Sequence, residues 1–454
     1  MSPEQPHSEA TALANGHGGA AVAERPAEAP AAPPAKPAPF RFVPPEPENL
    51  AATGLAAGEL DALLLKLLLV RGTSTGRNAA EMTRLPRSLV AESFERLRQE
   101  LLVAIKGSAG LEDFVYQLTD AGHDRAARLA KHCSYAGVAP VPLERYIEAV
   151  AEQSLAGSKL NRQRLDAAFR DLRLHAELVG QVGQAVNDGR GMFLFGPPGN
   201  GKTSISERVV GAFGEYVWIP HTVTIDGELV RLYDPRSHKA IDAPQLEEIS
   251  HDRRWVLIER PTIVVGGELT LEQLELQPNP ATGLCEAPVQ LRANCGALVV
   301  DDFGRQRAPT ADILNRLIVP MEKQHDYLVL ASGRQVMLPF DMLLVFSTNL
   351  EPRELVDEAF LRRIPYKIEV GGPSETEFVE LFLDLARKAG GTCPPSVVQD
   401  LLERHFRAKH RPLRYCHPRD LLRQVCNYCA YNDRPLEITT ATLDVAVKNY
   451  FAAL

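Results

Sequence analysis

One short segment of the chain has the residue types and spacing needed to hold phosphate groups. The apolar run from Met192 to Phe195 leads directly into the letters GPPGNGKTS, which fit the pattern G-x-x-x-x-G-K-[ST]. Glycines in such a loop let backbone N–H groups turn toward phosphate oxygens, and the following helix adds its positive end. The predicted phosphate-contacting residues are Gly196, Pro197, Pro198, Gly199, Asn200, Gly201, Lys202, Thr203 and Ser204. We expect Lys202 to reach the terminal phosphates of a nucleotide and the hydroxyl of Thr203 to ligate Mg²⁺.

A second apolar segment, ALVV, ends on two adjacent acids, Asp301 and Asp302. Magnesium in phosphoryl-transfer sites is held by one or two carboxylates together with the substrate phosphates. The sequence therefore predicts that Asp301 holds Mg²⁺ and that Asp302 polarises the attacking water.

A third apolar segment, MLLVFSTN, ends on Thr348 and Asn349. The phosphate loop, ALVVDD and FSTN, in this order, resemble the AAA+ ATPases over roughly residues 170–454. The resemblance implies that the cofactors are ATP and Mg²⁺ and that Asn349 is the sensor residue that orients the attacking water. In most ATPases of this type the position of Asp302 is a glutamate, and the shorter side chain could slow hydrolysis or require a different water geometry.

The same resemblance assigns roles to three arginines. Arg362 and Arg363 lie in DEAFLRRIPYKIEV, where AAA+ proteins place the arginine finger that one subunit supplies to the next, and the sequence does not choose between them. Arg419 of HPRDLL lies where the C-terminal helical lid carries a second sensor, and a plain helix-terminal arginine is the alternative. The implied assembly is a homo-oligomer, a hexameric ring with active sites between subunits.

Composition and charge exclude several classes of protein. With 45% apolar and 24% charged residues, the 454-residue chain has the balance of a globular protein with about two to four domains. No run approaches the roughly 18 apolar residues of a membrane span, and the start lacks the layout of a secretory signal, so we expect no membrane segment and a cytoplasmic location. Seven cysteines without framework spacing fit a reducing compartment, and the net charge of −8 gives no global attraction to nucleic acid.

Shifts in composition divide the chain into five segments. Residues 1–48 are rich in Pro and Ala and are predicted to be a disordered tail. The further predicted boundaries are 49–140 for a winged-helix-like domain, 141–187 for a helical linker, 188–372 for the P-loop domain and 373–454 for the helical lid. We therefore expect an α/β fold: a P-loop AAA+ domain with a mostly parallel five-stranded sheet, preceded by a winged helix and followed by a helical lid.

The N-terminal domain is predicted from three helical runs followed by two strands and a further helix, an arrangement similar to the winged helix-turn-helix domains of bacterial regulators. Its third helix carries Arg87, Arg96 and Arg98, which either face DNA phosphates or only form a solvated surface, and Glu92 and Glu95 on the same helix weaken the interpretation as a DNA-binding helix. The partner of this domain is therefore either a protein or DNA.

The stretch between Lys202 and Asp301 is longer than a compact P-loop domain requires, so we predict an insertion at about residues 216–280. Alternating β-rich letters with DG and GG turns indicate one or two hairpins there, and DYLVLASGRQVMLPF predicts another hairpin turning at Ser332-Gly333. Such hairpins are similar to those of MoxR-type and chelatase-type AAA+ proteins, and they either meet partners or only pack. The C-x-x-C of Cys426 and Cys429 lies in a helical apolar pattern without a second pair, which favours core packing over zinc.

Together these features predict a Mg-dependent ATP hydrolase that acts as an oligomeric, chaperone-like remodelling or assembly ATPase on a macromolecular client. We expect that client to be a protein, with DNA open as a partner of the winged helix. Two alternatives stay open. One is a DNA-binding regulator in which ATP controls oligomerisation on a site chosen by the winged helix. The other, motivated by Asp302, is a nucleotide-gated scaffold that hydrolyses ATP slowly.

Overall fold

The computed structural model describes residues 41–110, 113–156, 159–214, 216–241 and 249–452. Residues 1–40 of the predicted tail lie outside the described residues. Residues 41–48, also assigned to the tail, pack on the folded chain, and this part of the prediction is wrong. Phe42 makes an edge contact with the ring of Trp255 at 5.7 Å between centroids, and Pro44 O accepts a hydrogen bond from the N–H of Asp252.

The first group of elements is a helical cluster with a small antiparallel sheet. Its elements are α1 (Leu50–Thr53), α2 (Ala57–Arg71), β1 (Thr73–Thr75), α3 (Gly76–Thr83), α4 (Arg87–Gln99), β2 (Val103–Gly110), β3 (Asp113–Leu118) and α5 (Asp120–His132). The strands pair in the order β1-β3-β2. Leucines of α2 fill the core, where Phe94 of α4 stacks on Tyr116 of β3 at 4.1 Å. The sequence predicts six of these elements for a winged-helix-like domain, namely α2, α3, α4, β2, β3 and α5, whereas α1 and β1 are additional. The winged-helix assignment stays a prediction.

The middle of the chain alternates short strands with helices. In chain order these are β4 (Val141–Pro142), α6 (Leu143–Gln153), α7 (Arg162–Ala168), α8 (Ala176–Asp188), β5 (Met192–Phe195), α9 (Lys202–Val209), β6 (Tyr216–Pro220), β7 (Thr222–Ile225), β8 (Glu228–Arg231), β9 (Trp255–Glu259), β10 (Thr262–Val265), β11 (Gln277–Pro278), β12 (Cys285–Glu286), α10 (Val289–Arg292), β13 (Ala297–Val300), α11 (Thr310–Lys323), β14 (His325–Val329), β15 (Gln335–Pro339), β16 (Leu343–Thr348), α12 (Pro352–Leu355), α13 (Glu358–Arg363) and β17 (Tyr366–Glu369). Short 3₁₀ turns follow α9 and precede β11.

Five of these strands form one parallel sheet in the order β10-β13-β16-β5-β17, which confirms the predicted α/β class and its five-stranded sheet. The strands read as continuous apolar runs because helices cover both faces. One face packs on α7, α8 and α9, and the other packs on α11. The carboxyl ends of β5, β13 and β16 lie side by side at one edge of this sheet.

The insertion differs from its predicted extent. Thr262–Val265, inside the predicted range 216–280, forms β10 and pairs in parallel with β13, so it belongs to the main sheet. The prediction that this strand belongs to a hairpin is wrong, because a short apolar run has no periodicity that distinguishes a hairpin strand from a buried parallel strand. The β7–β8 hairpin does turn at Asp226-Gly227, both with positive φ, and β14–β15 turns at Gly333.

The predicted helical linker at residues 141–187 is likewise divided between two structures. Val141–Pro142 is a strand that joins the mixed sheet β11-β12-β8-β7-β4, and α6 buries Tyr146 and Val150 in the core of the insertion. Only α7 and α8 pack on the parallel sheet. The sequence did not reveal β4 because two residues are too few to show a strand pattern.

A buried ion pair connects the N-terminal cluster to the insertion. Arg254 is 2% exposed, binds Asp252 at 2.7 Å, and donates to Thr53 O at 3.0 Å and Pro140 O at 2.9 Å. A buried guanidinium needs partners for its N–H groups. Arg254 therefore holds the loop before β9 against the end of α1 and against the segment before β4.

The C-terminal region is helical, as predicted for the lid. Its elements are α14 (Glu375–Lys388), α15 (Pro395–Leu401), a π-helical turn (Leu402–Arg407), α16 (Cys416–Tyr431) and α17 (Thr440–Tyr450). Ser374 and Glu377 form a capping box at the start of α14, and Phe378 and Phe382 of that helix are fully buried. Cys429 is buried in the same core, and the described residues contain no group of three or more metal-ligating side chains. Nor is any described helix long and apolar enough to cross a membrane.

Candidate functional site

The phosphate loop lies between β5 and α9, at the carboxyl edge of the parallel sheet. Gly196 has φ 124°, and a Cβ there would stand 2.9 Å from Val370 O. Gly201, with φ 87°, is the residue that caps α9. Both positions therefore require glycine, one for close backbone approach and one for the left-handed turn into the helix. The loop consequently presents the start of α9 toward the cavity beside it.

Lys202 is held inside the curve of this loop. Its Nζ donates to Gly196 O at 2.9 Å, to Pro197 O at 3.1 Å and to Asn349 Oδ1 at 2.7 Å. Burial lowers the pKa of Lys202, whereas the nearby carboxylates of Asp301 and Asp302 raise it. The ammonium group is thus partly removed from water and placed between the loop and the acids, where a phosphate would be its strongest partner.

Thr203 and Asp301 form the pair that the sequence predicts for magnesium. Thr203 Oγ1 donates to Asp301 Oδ2 at 2.9 Å, so a hydroxyl and a carboxylate from different elements meet at one point. Mg²⁺ prefers oxygen ligands and is held by few protein groups together with substrate phosphates. This oxygen pair therefore fits the ion.

Asp302 and Asn349 complete a chain of polar contacts. Asn349 Nδ2 donates to Asp302 Oδ1 at 3.1 Å while its oxygen accepts from Lys202. Asp302 has φ 47°, a left-handed conformation that only Gly, Asn and Asp adopt readily. The turn that contains it is fixed to β16, because the N–H of Phe303 donates to Ser347 O and Thr348 Oγ1 donates to Phe303 O.

These side chains face one cavity of about 680 Å³, which lies between the sheet edge and the lid. The predicted site residues on its wall are Pro198, Gly199, Asn200, Gly201, Lys202, Thr203, Ser204, Asp301, Asp302, Asn349 and Arg419. Gly196 and Pro197 stand behind them as the carbonyl partners of Lys202. The volume lies within the range of about 300–1,000 Å³ that is typical of small-molecule sites.

The lid contacts the phosphate loop directly. Asn200 accepts the N–H of Tyr415 and donates to Val370 O, and Cys416 N–H donates to Gly199 O. Arg419 lies on the lid wall of the cavity with a side chain that is 73% exposed, and its Nε donates to Asp420 at 3.2 Å. Lid position is therefore coupled to the backbone of the loop.

The structure does not bring Arg362 and Arg363 to this cavity. Both line a second cavity of about 780 Å³, which also contains Arg190 and Glu322. Arg363 binds Glu322 at 3.2 Å, whereas the described residues include no ion pair of Arg362. Within one chain, the predicted arginine fingers and the phosphate loop are thus separate.

The sequence missed a segment of the cavity wall between α7 and α8. Leu172 and Leu174 supply apolar surface there, opposite Leu381 and Leu385 of the lid. The only sequence signal was the alternation of polar and apolar letters in RDLRLH. These four leucines give the cavity an apolar part beside the phosphate loop.

Ion pairs fix this segment on both sides. Asp171 binds Arg208 of α9 at 2.7 Å, and Arg173 binds Glu380 at 2.7 Å and also Asp384, both on α14. The segment therefore connects the helix of the phosphate loop to the lid.

A phosphate loop after β5, an amide after the adjacent strand β16 and two acids after β13, which pairs with the other side of β16, define a P-loop α/β protein. The model of a family described as a domain of unknown function, DUF8689, matches residues 374–449, which form the helical lid. No curated protein matches the chain.

The solved structures that match this chain are distant from it in sequence. NtrX from Brucella abortus is 15% identical, covering 73% of this chain and 67% of that chain, with a TM-score of 0.39. A mutant of Thermotoga maritima RuvB is 12% identical, and the match covers 63% of this chain and 73% of that chain, with a TM-score of 0.36. A chain of the complex between subunits BchI and BchD of magnesium chelatase is 16% identical. That match covers 60% of this chain and 91% of that chain, with a TM-score of 0.32. Similarity at this level carries no conclusion about activity or partners.

Proposed function

We propose that this chain is a Mg-dependent ATP hydrolase of the AAA+ kind that works as a homo-oligomeric ring. The observation that carries the proposal is the chain of contacts Lys202–Asn349–Asp302 beside the Thr203–Asp301 pair, all on one cavity. Each member comes from the end of a strand or the start of a helix, so five residues from three separate segments converge on the place where a γ-phosphate would lie.

Each of these residues has a separate role in the in-line attack of water on the γ-phosphate. Lys202 contacts the β and γ oxygens, and the loop N–H groups hold the remaining phosphate oxygens. Asn349 orients the water, and Asp302 polarises it and accepts its proton. Thr203 and Asp301 would hold Mg²⁺, which neutralises phosphate charge when bound. The apolar wall of Leu172 and Leu174 suits the base of the nucleotide.

A neighbouring subunit supplies the missing arginine in this proposal. The separation of Arg362 and Arg363 from the cavity of their own chain is what a finger acting between subunits requires. Arg362 is the stronger candidate because Arg363 is engaged by Glu322. Such a finger typically contributes about 10³–10⁵ in rate, so an isolated subunit would be nearly inactive.

Mixed rings provide the test. Arg362→Ala should lose most turnover while binding ATP, and Arg363→Ala should lose less. Mixing Arg362→Ala with Lys202→Ala combines an intact pocket from one chain with an intact finger from the other, so partial activity should return. A strictly monomeric preparation with full activity, or full activity in both arginine variants, would reject a shared site. Arg387→Ala, an exposed arginine of the lid outside both cavities, is the control.

The work performed on a client is proposed to be remodelling or assembly of a protein. DNA binding through α4 has less support, because Arg96 pairs with Asp61 at 2.9 Å and Arg98 pairs with Glu95 at 2.7 Å. Capture of co-purifying protein by Asp302→Asn in ATP, compared with Lys202→Ala, identifies the client. Equal capture by both variants would count against ATP-dependent engagement. A wild-type chain that binds Mg-ATP and scarcely turns it over in the oligomer would favour the scaffold alternative.

A further inference from the structure

A buried serine lines the cavity beside the phosphate loop. Ser347, the residue of β16 before Thr348, is 1% exposed. Among the residues that the structure describes, none forms a hydrogen bond with its hydroxyl oxygen, Oγ. A buried hydroxyl without a partner destabilises the folded chain, and alanine would occupy the same space without that cost. A hydrogen bond that forms only when the cavity is occupied would explain why a serine stands here.

The parallel sheet places Ser347 beside the acid that is proposed to hold magnesium. Asp301 follows the last residue of β13 that pairs with β16, and Ser347 is its neighbour on β16. Val299 and Val345, two residues earlier on these strands, pack on the sheet face that α9 covers. Because side chains alternate along a strand, Ser347 and Asp301 lie on that same face, where Thr203 of α9 contacts Asp301. The hydroxyl is therefore on the side of the sheet where the magnesium site is proposed.

The carboxylate of Asp301 has room for a further donor. Its Oδ2 accepts from Thr203 Oγ1 at 2.9 Å, and its Oδ1 accepts from the N–H of Asp302 at 3.0 Å. A carboxylate offers about four acceptor positions, so these two donors leave capacity for a third. The backbone oxygen of Ser347 accepts the N–H of Phe303 at 2.8 Å, which holds the turn with both acids against β16. Neighbouring strands lie about 4.7–4.9 Å apart, so a small movement of the carboxylate brings it within reach of the hydroxyl.

We propose that Ser347 is a positioning residue of the metal site: with Mg-nucleotide bound, its hydroxyl donates to the carboxylate of Asp301 and orients that carboxylate for the ion. The direct contact between Thr203 and Asp301 must adjust when both side chains serve Mg²⁺, and the proposed hydrogen bond forms in that adjustment. Metal-ligating carboxylates are themselves hydrogen-bonded by such outer groups. The inference rests on the proposed ATP hydrolysis, because it assigns a further residue to the magnesium site of that reaction.

The magnesium dependence of nucleotide binding tests this role without relying on turnover. The Kd of a fluorescent ADP is measured for the full chain in MgCl2 and in EDTA, and the ratio of the two values is called the magnesium gain. Ser347→Ala should reduce this gain by about tenfold to a hundredfold, while the Kd in EDTA stays that of wild type. Its melting temperature without nucleotide should be unchanged or higher, because the variant removes a buried hydroxyl that has no partner among the described residues.

Two further variants connect the effect to Asp301. Ser206→Ala is the matched control: this serine is also fully buried, but its hydroxyl donates to Lys202 O at 3.0 Å and it does not line the cavity. The magnesium gain of this control should equal that of wild type. Asp301→Ala should itself lose most of the gain, and adding Ser347→Ala to it should have no further effect, because the hydroxyl acts through the carboxylate.

The contrary results differ in what they reject. An unchanged magnesium gain in Ser347→Ala would overturn the inference, whether or not the melting temperature falls. Equally weakened ADP binding in EDTA and in MgCl2 would show that the hydroxyl contacts the nucleotide itself, and an additive loss in the double variant would show that it does not act through Asp301; either result rejects the role. A wild-type chain that binds ADP equally in MgCl2 and EDTA would reject the magnesium site of the proposed function, whereas a wild-type gain that Ser347→Ala retains rejects this inference alone.

Discussion

Asn349→Ala removes the amide that connects Lys202 to Asp302. In the structure this amide accepts from Nζ at 2.7 Å and donates to the carboxylate at 3.1 Å. Lys202 retains two carbonyl partners, Gly196 O and Pro197 O, so we expect the loop to keep its shape. The change is therefore expected to act on the attacking water and on Asp302, and much less on nucleotide affinity.

The expected loss follows from the number of oriented contacts. One preorganised donor aimed at the reacting centre is typically worth about 10²–10³ in kcat, or about 3–4 kcal/mol of transition-state stabilisation. Binding of Mg-ATP should change by less than about tenfold, because the deleted amide competes with phosphate for Lys202 in the free protein. This split between turnover and affinity distinguishes water positioning from phosphate binding.

Steady-state phosphate release gives kcat, and titration of a fluorescent nucleotide gives Kd, both at a protein concentration where the oligomer is intact. Leu350→Ala, a partly exposed neighbour that does not line the cavity, is the matched control and should leave both constants unchanged. Unaltered kcat in Asn349→Ala would refute the assigned role of this side chain. A collapse of affinity with kcat retained would mean that Asn349 holds phosphate instead.

Three further predictions concern stability, pH and the catalytic acid. Arg254→Met should cost about 3–5 kcal/mol in urea unfolding because it leaves Asp252 buried and unpaired, and Arg254→Met with Asp252→Leu should cost less; equal losses would show that the pair is not coupled. Burial lowers the pKa of His417 to about 4, with Arg414 adding to the effect, so protonation of the unfolded chain below pH 6.5 should reduce stability as the pH falls to 4. His417→Asn should remove part of that fall, and an unchanged pH profile would contradict the assignment. Asp302→Glu should retain turnover, and the rate should exceed that of wild type if the shorter acid limits hydrolysis, although the left-handed backbone costs the longer residue about 1 kcal/mol; loss of nucleotide binding would contradict the role given to this position.

The parts of the site that the sequence predicted are those encoded by contiguous letters at the ends of strands. The phosphate loop follows β5 and precedes α9, and both geometries are local. Asp301 was predicted from the paired acids that end an apolar segment, and Asn349 from the resemblance of FSTN to the AAA+ ATPases; in the structure both follow strands at the carboxyl edge of the parallel sheet. Because β5, β13 and β16 end at the same edge of the sheet, Asp301 reaches Thr203 and Asn349 reaches Lys202.

The missed features depend on contacts between distant parts of the chain. Leu172 and Leu174 line the cavity in a segment that ion pairs hold against α9 and the lid, and a short alternation of polar and apolar letters gives no sign of such partners. The strand Thr262–Val265 was read as part of a hairpin insertion since its partner β13 lies outside the insertion. The separation of Arg362 from the cavity could not be predicted either, because spacing along the chain does not give distance in the fold.

The most direct test of the central claim is Mg-dependent ATP turnover by the oligomer, measured as phosphate release together with ATP affinity for wild type, Lys202→Ala and Asp302→Asn. The account predicts that wild type hydrolyses ATP only when Mg²⁺ is present and that Asp302→Asn binds Mg-ATP without turning it over. Lys202→Ala should neither bind nor hydrolyse ATP while melting as wild type does. Undiminished ATP affinity in Lys202→Ala, or undiminished turnover in Asp302→Asn, would contradict the account.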